Sequence, residues 1–149
     1  MTIADWSDFY LMAGGGVAAL TGLLFVAMSL HLREILERPE LTRNVAIALS
    51  GLVFGLLFCG FMLVPGITVE AVGITLIVGS GVFALVYARG GGGQSTLVAV
   101  GVCVLDVVVG GLLLAGWMPA LYILAATMGL EVAALVRLSW RLLTLAVGR

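Results

Sequence analysis

Lysine is missing from the chain. The 7 basic residues are all arginine, set against 8 acids and 1 histidine, for a net charge of −1. That balance argues against a nucleic-acid or anionic-surface role. Charge of either sign is scarce: charged residues make up 10% of the 149 positions, where soluble domains carry about 25%. So few polar residues cannot cover the surface of a small soluble domain. Disorder is excluded too, because disordered chains are poor in apolar residues and rich in charge. Cysteine is limited to Cys59 and Cys103, both inside apolar runs, so nothing supports a disulfide framework. What the chain has in excess is apolar residue, at 62%, with a mean hydropathy of +1.26. An integral membrane protein is the class that remains.

A spanning helix needs about 20 mostly apolar residues, and five stretches qualify. They run over 9–32, 44–64, 67–88, 96–115 and 119–140. The breaks carry turn chemistry: Pro65-Gly66, then Arg89 to Ser95 with the glycine run Gly90 to Gly93, then Gly116-Trp117-Met118-Pro119. An all-α bundle of five transmembrane helices in one domain is therefore expected. Arginine placement tests the count independently. Arg33, Arg38 and Arg43 fall in the first connection, Arg89 in the third, and Arg137, Arg141 and Arg149 in the C-terminal segment. Five spans put every arginine on one side, which the positive-inside rule makes cytoplasmic. The N-terminus is then outside and the C-terminus inside. Trp6, Tyr10, Trp117 and Tyr122 fall at the outer boundary, Tyr87 and Trp140 at the inner one, as interfacial aromatics do. Asp5 and Asp8 stand where the positive region of a signal peptide belongs, so the first helix is expected to remain uncleaved.

The first helix is expected to continue through His31 to Arg38, with Arg33–Glu37 and Glu34–Arg38 pairs at i,i+4 and Pro39 breaking it. In lipid, close helix contacts are marked by small residues. Gly14, Ala18 and Gly22 form such a series on the first helix, and Gly51 and Gly55, followed by Cys59, on the second. They suit packing within the bundle or self-association equally well. The segment Phe9-Tyr10 through Gly14-Gly15-Gly16, Ala18-Ala19, Thr21-Gly22 and Phe25 to Ser29 resembles the N-terminal signature of small multi-span membrane proteins common in actinobacteria. That resemblance fades beyond the first helix. It implies a multi-pass protein of a bacterial inner membrane and supplies no active site.

Acids inside the membrane are the informative residues, because a charge near mid-bilayer is costly and is usually paired or functional. Asp106 lies ten residues into the fourth span, roughly 15 Å deep, and Glu131 twelve into the fifth, roughly 18 Å from the opposite face. A short turn joins these two helices as antiparallel neighbours, so the acids are placed to face one another. Neither has an arginine or histidine at i±3 or i±4. Three states stay open: the pair binds a proton or cation, each is a neutral hydrogen-bonded carboxyl, or an arginine from another helix reaches in. Glu70, a turn inside the outer end of the third span, is an interfacial acid or, in an oligomer, a cation-attracting ring at a pore mouth.

Enzymatic readings are poor. His31 and Glu34 offer at most two metal ligands, and the glycine run has no Gly-Lys-Ser/Thr to hold phosphate. No catalysis, cofactor or metal is expected. Two functions remain. One is a small homo-oligomeric channel or carrier for protons or small cations, using Asp106 and Glu131 with Glu70 on the approach. The other is an accessory subunit that packs against a larger membrane complex. The expected partners are the lipid bilayer and further copies of the chain or that complex.

Overall fold

A computed structural model describes residues 3–89 and 94–147 of the chain, and the architecture is all-helical. A short 3-10 helix, Ile3–Trp6, leads into α1, Ser7–Leu30. After a single-residue interruption come α2, Leu32–Leu36, and α3, Pro39–Met62. The remaining helices are α4, Val69–Arg89, α5, Gln94–Leu114, and α6, Ala120–Val147. The helices 7–30, 39–62 and 96–114 are long and apolar enough to cross a membrane. Val69–Leu85 and Ala120–Ala134 are shorter apolar helices. These properties fit a membrane protein.

Pro39 opens α3 at a position where its missing N–H costs nothing. The helix therefore starts at Pro39 rather than Asn44. The first helix does not continue unbroken to Arg38. It stops at Leu30 because His31 leaves helical geometry (φ −117°, ψ 20°), with its Nδ1 against the Ala27 carbonyl at 3.1 Å. The Arg33–Glu37 pair forms at 3.3 Å and is exposed, worth a few tenths of a kcal/mol. The side chains of Glu34, Tyr87, Arg89 and Arg141, the glycine run Gly90 to Gly93, and Arg149 lie outside the described residues.

Two reversals rest on glycines in the left-handed region, Gly66 (φ 76°) between α3 and α4 and Gly116 (φ 80°) between α5 and α6. Only glycine takes that conformation without a Cβ clash. Thr68 caps α4, its Oγ1 accepting from the Ala71 N–H at 3.2 Å. Consecutive long helices run antiparallel, α1 packing on α3 and α4 on α5, while α6 lies against α1, α3 and α5. The main core sits toward the end formed by the α1 N-terminus and the α5–α6 turn. It gathers Tyr10, Phe58, Met62, Leu76, Leu113 and Leu124.

Helix contacts follow the glycines, but only some of those expected. A Cβ on Gly14 would stand 3.1 Å from the Cβ of Cys59, and one on Gly55 would stand 3.8 Å from Val17. Gly51 is half-buried on the same helix as Gly55. Ala18 and Gly22 face outward instead, because the inward face of α1 is Tyr10, Gly14, Val17 and Leu24. The tightest approach joins α4 to α5. A Cβ on Gly73 would lie 2.9 Å from the Gly110 carbonyl oxygen, and one on Gly110 would lie 2.8 Å from the Gly73 oxygen. Here the two backbones touch.

Candidate functional site: a buried carboxyl pair

The Gly73–Gly110 contact positions the polar centre of the bundle. Ser80 follows Gly73 by about two turns of α4, and Asp106 precedes Gly110 by about one turn of α5. Their side chains meet: Ser80 Oγ donates to Asp106 Oδ2 at 3.0 Å, with Ser80 1% exposed and Asp106 4%. Gly79 makes room beside them, since a Cβ there would fall 2.7 Å from the Phe54 ring.

Glu131 arrives from α6. The buried face of that helix runs Leu124, Thr127 and Met128, and Glu131 follows three residues on at helical spacing, itself half-buried. Its carboxyl lies close enough to Asp106 for the two to interact. Its Oε1 is enclosed by protein and makes no hydrogen bond. The two acids singled out from sequence are thus brought together, and Ser80 completes a set drawn from three helices.

The two thiols border this set. Cys103, one turn before Asp106, is within electrostatic range of both carboxyls, and Cys59 of α3 is within range of Glu131. Both are free and buried. Among the described residues no three histidine, cysteine, aspartate or glutamate side chains are grouped so as to hold a metal ion. Arg43, toward the far end of α3, is half-buried with its Nε unpartnered.

Glu70 is not part of the set. It is exposed in the first turn of α4, roughly 15 Å along the helix from Ser80. Tyr10 is corrected more strongly. Expected at the interface with Trp6 and Tyr122, it is 0% exposed, its ring edge-on to Phe9 and Phe58 and its hydroxyl unpartnered. Trp6 and Tyr122 do pair at that end, with ring centroids 4.9 Å apart. Ser80 is the residue that sequence reasoning missed. Its one signal is a serine set between Gly79 and Gly81 in the apolar middle of the helix.

Chemically, a buried carboxyl pair with one serine donor can take up and release a proton without an outside reagent. No family model, curated protein or solved structure matches the chain.

Proposed function

We propose that the chain is a multi-pass protein of a bacterial inner membrane that moves protons, with Asp106 and Glu131 as the binding groups. One observation carries the reading: two carboxyls close enough to interact, one of them held by Ser80, inside an apolar bundle. Two ionised carboxylates that close, away from water, repel strongly. A single shared proton removes the repulsion and supplies the hydrogen bond. That proton belongs to the pair rather than to either residue.

All five long helices cross the bilayer in this reading. The short apolar helices Val69–Leu85 and Ala120–Ala134 complete their spans with flanking residues. The end carrying Arg33, Arg38 and Arg43 is cytoplasmic. Copies of the chain associate laterally, since one small bundle is too thin to enclose a hydrated path, and Glu70 lies on the approach from outside. There is no catalysis and no cofactor.

A second reading, an accessory subunit of a larger membrane complex, is favoured by one feature. Ala18 and Gly22 present an outward surface on α1 with open space at Gly22, which suits a neighbouring helix from any source.

Proton flux into liposomes containing the purified protein tests the first reading. We expect flux in the wild type and its loss in Glu131→Gln, with the variant still folded. Folded, inserted wild-type protein that passes no protons would overturn the reading and leave the accessory role.

A further inference from the structure

The buried hydroxyl of Tyr10 has no evident structural use. The side chain is fully enclosed, its ring held by Phe9 and Phe58, and its oxygen meets no partner. A phenylalanine would fill the same space without burying an unsatisfied polar group, which is destabilising.

The polar groups within range of the hydroxyl give it a role. Tyr10 is within electrostatic range of Cys59, and Cys59 is within range of Glu131. Among the described residues, Glu131 Oε1 is the other enclosed oxygen without a hydrogen bond. Tyr10 and Cys59 share one buried core cluster, and two unpartnered oxygens lie within electrostatic range of that one thiol. Buried polar groups of this kind are ordinarily satisfied by ordered water.

We propose that Tyr10 is the relay through which the carboxyl pair exchanges its proton with the end of the bundle formed by the α1 N-terminus and the α5–α6 turn. The co-reactant is water held between Glu131, Cys59 and Tyr10. The O–H bond of the protonated Glu131 carboxyl breaks and its proton joins that water. The water passes a proton to the Tyr10 oxygen as the phenol's own proton leaves for a second water on the outward side. Afterwards Glu131 is a carboxylate, Tyr10 and the inner water are neutral and unchanged, and one proton has moved outward. No electron changes hands. From Tyr10 the way out is about one helical turn, past Trp6 and Ile3 of the 3-10 helix. Leu121 and Leu124 are nearly fully buried in the same core and offer no donor or acceptor, which leaves the phenol as the polar step.

The inference rests on the proton-binding reading of Asp106 and Glu131, and its test is separable from transport. Infrared spectroscopy can follow the protonated-carboxyl C=O band after transfer of the protein to D2O, with Glu131→Gln assigning the band. Tyr10→Phe should slow the shift of that band about a hundredfold, the lower end of what a positioned proton-transfer group contributes. Thermal stability should hold or rise, which a structural role for the hydroxyl would not allow. Site-specific fluorotyrosine at position 10 keeps the volume and changes the phenol's proton affinity, so it should alter the rate even if Tyr10→Phe folds poorly. An exchange rate untouched by either change would overturn the relay. Flux in the wild type with Tyr10-independent exchange would remove the relay and keep transport. Tyr10-dependent exchange without flux would remove transport and keep the relay.

Discussion

Ser80 and Asp106 show how much a single buried hydrogen bond can decide. The serine donates to a carboxyl that has almost no contact with solvent, so removing the donor leaves that carboxyl undersatisfied. We expect Ser80→Ala to lower stability by about 1–3 kcal/mol, read from chemical denaturation in detergent. The acids were legible in the sequence because a carboxyl stands out in an apolar run, and their matched depths followed from the rise per residue. Ser80 was not legible, since membrane hydroxyls commonly bond back to their own helix. Thr21, Ser29 and Thr127 all do so here, to Val17, Phe25 and Leu124. Nothing local to Ser80 says that it reaches across instead. Tyr10 was misplaced for a related reason. An aromatic near a helix end is interfacial or buried according to the rotation of the helix, and Gly14 against Cys59 sets that rotation for α1.

At the scale of elements, helix existence was legible and helix rotation was not. A helix apolar on every face has no periodicity to show which side is inward. That is why Ala18 and Gly22, in step with Gly14 by spacing, point outward while Val17 and Leu24 point in. The glycines that matter most for the site are Gly73 and Gly110. Gly73→Ala should destabilise the protein by about 1–3 kcal/mol through overpacking, because its new Cβ would press on a backbone oxygen that cannot turn aside. Gly22→Ala meets open space. It should leave stability unchanged or raise it by up to about 1 kcal/mol through helix propensity. Thermal unfolding of the two variants side by side checks both. Arg33→Ala removes only an exposed pair at 93% and 65% side-chain exposure. It should shift stability by no more than about 0.5 kcal/mol by the same measurement.

Across the whole molecule, the antiparallel order of long helices puts the α1 C-terminus, the α3 N-terminus and the α6 C-terminus at one end. Arg33, Arg38, Arg43 and Arg137 are carried there. The opposite end carries the main apolar core and the Trp6–Tyr122 ring pair. Between the two ends sits one polar set of three helices' making, in a bundle whose other buried groups are nearly all apolar. The sequence could place that set at mid-depth, but the partners had to come from tertiary packing. α4 reaches α5 through two glycines that no spacing rule pairs. The most direct measurement is proton flux driven by a pH gradient across liposomes containing wild type, Ser80→Ala or Asp106→Asn. We expect full flux in the first, reduced flux in the second and none in the third, with all three folded. Equal flux in all three, or none in the folded wild type, would contradict proton movement through this pair.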